Sequence, residues 1–147
     1  MAPIDLSDSF EKIPVKIFPD LRQGSLFAAK QIADLIREKQ KRKEKCVLGL
    51  ATGSTPKTLY AELVRMHREE KLSFKNVIAF NLDEYYPIAN TALQSYHRFM
   101  RNQLFDHVDI HPKNIHIPNG EINKEDIKEY CRQYEKKIEA SGGIDLQ

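Results

Sequence analysis

At 147 residues, with 41% hydrophobic and 30% charged side chains, the chain has the composition of one soluble globular domain. Its 23 basic and 21 acidic residues nearly balance at a net charge of +2, which argues against nucleic acid as a partner. No apolar run approaches the roughly 18 residues of a membrane span, and Met1-Ala2-Pro3-Ile4-Asp5 lacks a signal-peptide layout. No membrane partner and a cytoplasmic location are therefore expected.

Residues 1–13 read as a flexible N-terminal arm, and 14–147 as the N-terminal part of a single α/β domain. Val15 to Phe18 form a short strand, and Asp20 opens a helix that runs to about Lys41. Leu26, Ala29, Ile32, Ala33 and Ile36 recur at three- and four-residue steps along one face of it. The stretch Arg37 to Lys45 carries six Lys or Arg and is the solvated end of this helix, where cations complement the dipole. Residues 46–51 contain a continuous apolar run, as in a parallel strand covered on both faces. A second helix follows from Pro56, which suits a first helical position, to about Glu70, burying Leu59, Leu63 and Met66 with Tyr60 beside them.

Val77-Ile78-Ala79-Phe80 marks a second buried strand within 77–82, and a third helix is expected over roughly 91–104. Phe105 to Gly120, rich in Pro, Asn and His, reads as an extended, loop-like connection. A fourth helix spans 123–140 with Ile127, Tyr130, Tyr134 and Ile138 on one side. Gly142-Gly143 ends it, and Ile144-Asp145-Leu146 begins another strand. Stopping inside a strand is a poor domain boundary, so the chain is expected to be a fragment. Strands alternating with helices predict βαβ units with right-handed crossovers and a parallel sheet. Cys46 and Cys131 have no metal-ligand spacing and read as reduced structural thiols.

In such sheets, ligands bind beyond the C-terminal strand ends. The turn after the first buried strand offers Thr52-Gly53-Ser54-Thr55: a glycine for close backbone approach, three hydroxyls, and the amides of a helix start. That is a phosphate pocket, although the hydroxyls could equally serve only to cap the helix. The turn after the second strand supplies Asn81-Leu82-Asp83-Glu84-Tyr85-Tyr86. A carboxylate beside a bound sugar phosphate can move a proton between adjacent carbons of an open-chain sugar, and partial burial helps such a base. The plainer alternative for Asp83 and Glu84 is a solvated acid pair held down by the tyrosines. The turn matches neither the P-loop nor the dinucleotide pattern. Ser54 lacks a nucleophile-elbow frame, and His107, His111 and His116 have no zinc spacing, so no metal is expected.

Leu48-Gly49-Leu50-Ala51-Thr52-Gly53-Ser54-Thr55-Pro56, Ser73-Phe74-Lys75-Asn76-Val77 and Phe80-Asn81-Leu82-Asp83-Glu84-Tyr85 together resemble the glucosamine-6-phosphate deaminases. Ser95 to Met100, Leu104 to Ile110, Asn114 to Gly120 and Cys131 to Glu135 extend the resemblance. These enzymes belong to a sugar-isomerase superfamily that also contains 6-phosphogluconolactonase. The resemblance implies a parallel-sheet, Rossmann-like sugar-isomerase fold, here truncated to its N-terminal part. It implies conversion of glucosamine 6-phosphate and water to fructose 6-phosphate and ammonia, with no cofactor and with homo-oligomers possible for the full-length parent. It maps phosphate binding onto Thr52, Gly53, Ser54 and Thr55, the C2/C1 proton-transfer base onto Asp83, and further substrate contacts onto Glu84 and Tyr96. The family's ring-opening Asp-Gly-His-Ile-x-Phe-Asn-Glu-Pro stretch does not occur in these 147 residues. A non-catalytic sugar-phosphate sensor on the same fold and a 6-phosphogluconolactonase-like hydrolase are the alternatives.

Overall fold

In the computed structural model, residues 14–147 and the pair Ile4–Asp5 are described. The flexible arm expected over 1–13 otherwise lies outside the described residues. Ile4–Asp5 (β1) pairs antiparallel with Lys16–Ile17 (β2), so the first expected strand belongs to a small separate ribbon. The main sheet holds Cys46–Leu50 (β3), Val77–Asn81 (β4) and Ile115–His116 (β5), side by side in that order and all parallel. Beyond β3, Leu146 bridges Leu48 in parallel, with Gly49 donating to the Leu146 carbonyl and Asp145 to that of Val47, each at 2.9 Å. The final residues thus add to the sheet as their pattern predicted.

Helix α1 covers Leu21–Lys41 and α2 covers Lys57–Glu70. Asp20 caps α1, its carboxylate accepting from the Gln23 amide at 2.8 Å, and this bond holds the acid below the usual carboxylate range. Ala29, Ile32, Ala33 and Ile36 from α1 and Leu63 and Met66 from α2 form one core with Cys46, Leu48, Leu50, Val77 and Ala79 of the sheet. Ile36 and Leu63 are fully buried, each stabilising the fold by about 2 kcal/mol. Leu26, expected on this face, is instead exposed at its rim. Ser25, four residues before Ala29, takes the buried position, because a four-residue step stays closer to the centre of a helical stripe than a three-residue step does here.

Phe80 points the other way. It stacks on His116 at 4.5 Å between ring centroids and meets Tyr134 edge-on at 5.7 Å. Tyr134 lies on α4 (Ile127–Ala140), with Ile127, Tyr130 and Ile138 also half-buried on the expected side. The Tyr134 hydroxyl donates to the carbonyls of Asn81 at 2.8 Å and His116 at 3.0 Å, tying α4 to two strand ends.

Two expectations need correction. The third helix, α3, is Tyr96–Gln103 and starts later than 91, because Ser95 takes extended backbone and caps it, its hydroxyl accepting from the Arg98 amide at 3.1 Å. The connection 105–120 is also more ordered than its composition suggested. It holds single 3₁₀ turns at Phe105–His107 and Pro112–Asn114 and then β5, seated by a 3.0 Å bond from the Asn114 side-chain amide to the Val77 carbonyl.

Asp145 is a structural acid. It accepts from Lys39 Nζ at 2.7 Å and from the Val47 amide at 2.9 Å, pinning the last strand to both α1 and β3. Cys46 is buried and Cys131 exposed. Burial, assisted by nearby Asp145, pushes the Cys46 thiol up to about 11. A thiol reagent at pH 8 should therefore modify the folded chain at Cys131 alone and reach Cys46 only after denaturation. Equal labelling rates in the folded protein would contradict this burial.

Candidate functional site

The site is built at the C-terminal edge of the sheet. Leu50 is in register with Asn81, so the chains leaving β3 and β4 emerge side by side. Asn81 is 1% exposed and locks the two ends together, its side-chain amide donating to the Leu50 carbonyl at 3.0 Å. Its Oδ1 has no partner among the described residues. Beneath the first loop, the buried Tyr60 hydroxyl donates to the Ala51 carbonyl at 2.5 Å. That contact fixes where the 52–55 turn begins.

Gly53 has φ of +98°, a left-handed conformation that costs an L side chain, and open space where a Cβ would be. Thr52 is half-buried, while Gly53, Ser54 and Thr55 are exposed. The expected hydroxyl cap is not formed: Pro56 occupies the N-cap position of α2, one residue before the expected one, and no side chain caps that helix. The Lys57 amide donates to the Ser54 carbonyl at 3.4 Å, and the next amides of the first turn have no partner within the helix. The three hydroxyls and the helix start thus stay available to an anion. Thr52 and Thr55 also line a groove of about 540 Å³ whose opposite wall is Phe18, Leu21 and Gly24.

Asp83 follows β4 by two residues, as Thr52 follows β3, so the topology brings the candidate base and the candidate phosphate turn to one edge. Asp83 is exposed, so the partial burial expected of a proton-transfer base is not supplied by the described residues. Glu84 is engaged by the protein's own backbone. Its carboxylate accepts from the amides of Tyr96 at 2.9 Å, His97 at 3.1 Å and Tyr85 at 2.9 Å, so both oxygens are engaged by the N-terminus of α3 and its own loop. Tyr96, the first residue of α3, lies with its ring centroid 4.8 Å from that of Tyr85. The adjacent Tyr96 phenol, with Asp83 and Glu84 nearby, raises the Tyr85 phenol above its ordinary value.

The histidines have other duties. His116 stacks in the aromatic layer and is pushed down by burial and by Lys137, while His111 accepts from the Lys113 amide and His107 contacts the Asn102 carbonyl. Among the described residues no cluster of His, Cys, Asp and Glu could hold a metal, and no helix is long and apolar enough to cross a membrane. Reasoning from sequence missed Tyr60 and Ser95 as parts of this edge, and placed Asn81 there without its locking role. A polar residue closing an apolar strand was the available sign for Asn81.

Residues 19–146 match the family described as glucosamine-6-phosphate isomerases/6-phosphogluconolactonase. The chain belongs to this family. Within it, the chain is 50% identical over 136 residues to a glucosamine-6-phosphate deaminase-like protein of Bacteroides thetaiotaomicron, covering 92% of this chain and 20% of that one. It is 48% identical over 119 residues to a glucosamine-6-phosphate deaminase of Thermoanaerobacter sp., covering 81% of this chain and 46% of that enzyme. Among solved structures, a monomeric glucosamine-6-phosphate deaminase superposes with a TM-score of 0.79 at 41% identity, over 87% of this chain and 51% of its own. The 6-phosphogluconolactonase of Thermotoga maritima shares the fold, at a TM-score of 0.63 and 24% identity, over 80% of this chain and 51% of that one. The chain spans about half the length of most of these isomerase-family relatives, and a fifth of the Bacteroides protein.

Proposed function

We propose that this chain carries the phosphate-binding and proton-transfer half of a glucosamine-6-phosphate deaminase, an enzyme by its resemblance to the named deaminases. The observation that carries the reading is the register of β3 on β4, which sets Thr52–Thr55 and Asp83 on one sheet edge in a chain 41% identical to a solved deaminase. In this reading the turn amides and the hydroxyls of Thr52, Ser54 and Thr55 hold the 6-phosphate. Asp83 takes the proton from C2 of the open-chain aldehyde and returns it to C1, passing through an enolamine. The resulting C2 imine adds water and releases ammonia, leaving fructose 6-phosphate, so the net reaction is a hydrolysis. Tyr96 stands at the sugar side of the loop. No step in this sequence needs a metal or organic cofactor, and nothing in it needs assembly into an oligomer.

The competing lactonase reading shares only the fold at 24% identity, and a sensor has no use for an exposed carboxylate beside its phosphate turn. The test is to incubate the full-length parent with glucosamine 6-phosphate and, separately, with 6-phosphogluconolactone. Stoichiometric ammonia and fructose 6-phosphate are expected from the first and no hydrolysis above background from the second; the reverse outcome makes it a lactonase, and binding without either product makes it a sensor. The 147 residues alone, which lack the ring-opening Asp, His and Glu, should release no ammonia above background in the same assay.

A further inference from the structure

We propose that Glu84 is a positioning residue that never touches the sugar: it clamps the Asp83 loop onto the N-terminus of α3 and so sets the distance between the proton-transfer base and Tyr96. This rests on the reading of Asp83 as the base. Three amide hydrogen bonds converge on the one carboxylate, two from the first residues of α3 and one from within the loop itself. A carboxylate at this end of a helix is favoured both by unpartnered amides and by the dipole. The arrangement is doubled, since buried Ser95 caps the same helix start with its hydroxyl and anchors it by donating to the Asn90 carbonyl at 2.8 Å.

The geometry makes Glu84 the only side chain of the 82–86 loop seen bonding to α3 by backbone amides among the described residues. Asp83, one residue earlier on the same extended loop, is exposed and has no side-chain hydrogen bond among the described residues to hold it in place. Its position is therefore inherited from its neighbour. Tyr96 is held through its own amide by the same carboxylate, so one acid governs both flanks of the place where the sugar would lie. The Tyr85–Tyr96 ring contact at 4.8 Å closes this unit on its outer side.

Misplacing a reacting group by about 1 Å can cost on the order of 100-fold in rate. In the full-length enzyme, Glu84→Gln keeps the size and one good acceptor but sets an NH₂ against a backbone amide. It should lower kcat roughly 10- to 100-fold while KM moves less than about threefold. In ζ-¹³C-tyrosine NMR titrations, the Tyr85 phenol should return toward ordinary tyrosine behaviour as its contact with Tyr96 loosens. A rise in KM as large as the fall in kcat/KM would mean that Glu84 binds substrate directly, and unchanged kcat would mean that it only caps a helix; either overturns the proposal. Should Glu84→Gln not accumulate as folded protein, Glu84→Asp keeps the charge but withdraws the carboxylate from the α3 amides by one methylene, and an unchanged kcat there overturns the proposal equally. Asp83→Asn, measured in parallel, separates the two ideas. Normal turnover by that variant removes the base reading, whereas an inactive Asp83→Asn beside a fully active Glu84→Gln removes only the clamp.

Discussion

Asp83→Asn in the full-length parent should lower kcat by roughly 10²–10⁴, the range expected for loss of a general base, with substrate binding retained. The substitution is nearly isosteric, and Asp83 has no hydrogen-bonded partner among the described residues whose loss would unfold the loop. The proposed phosphate turn lies on the neighbouring strand end and does not depend on Asp83, so KM should change little. Exchange of the C2 proton with solvent deuterium should vanish together with ammonia release, since both pass through the same enolamine. Near-normal turnover would return Asp83 to the status of a solvated loop acid.

The second large effect is expected at a residue with no chemistry. A Cβ on Gly120 would lie 2.5 Å from Ile88 Cγ2, 2.6 Å from the Tyr85 carbonyl oxygen and 2.7 Å from that of Ile88. Two of these neighbours are backbone, which cannot rotate away as a flexible side chain can. The Gly120 carbonyl also accepts from the Ile88 amide at 3.0 Å, so the segment is held close on purpose of its own hydrogen bonding. Gly120→Ala must push residues 85–88 outward, and these continue directly from Asp83 and Glu84. Overpacking of this kind costs about 1–3 kcal/mol, and each kcal/mol lowers Tm by about 2–4 °C in a protein of roughly 150–250 residues. A loss of kcat beyond what the lowered stability explains is expected as well, because the loop that carries the proposed base is the part displaced. Thermal melts and kinetics on the purified variant decide it; wild-type Tm and kcat together would show that the loop has room to spare.

The two halves of the site differed in how openly the chain announced them. Thr52 to Thr55 could be read from local pattern, since an apolar strand, a glycine-bearing polar turn and Pro56 are signals that act within ten residues. What the turn does with its hydroxyls was not legible: the helix accepts Pro56 at its cap without a side-chain bond, and that is a matter of backbone geometry. Glu84 shows the opposite case. Its residue type was visible, but its partners are the amides of Tyr96 and His97, twelve and thirteen positions away, and backbone amides leave no trace in a sequence.

By itself, the sequence determined the α/β alternation, the two buried parallel strands, the capped start of α1 at Asp20 and, from about residue 46 onward, the resemblance to a sugar-phosphate family whose match reaches back to residue 19. All of these rest on apolar periodicity, capping chemistry or contiguous motifs, which are local. Only the tertiary structure decided that β4 lies between β3 and the two-residue strand β5, that Asn81 bolts the two strand ends together, and that Glu84 turns toward α3 instead of toward the groove. Strand order, register and the destination of a polar side chain depend on contacts between residues some 12 to 37 positions apart. Such contacts are selected by the packing of the whole sheet, where a backbone carbonyl or amide left without a partner costs more than any local preference can repay.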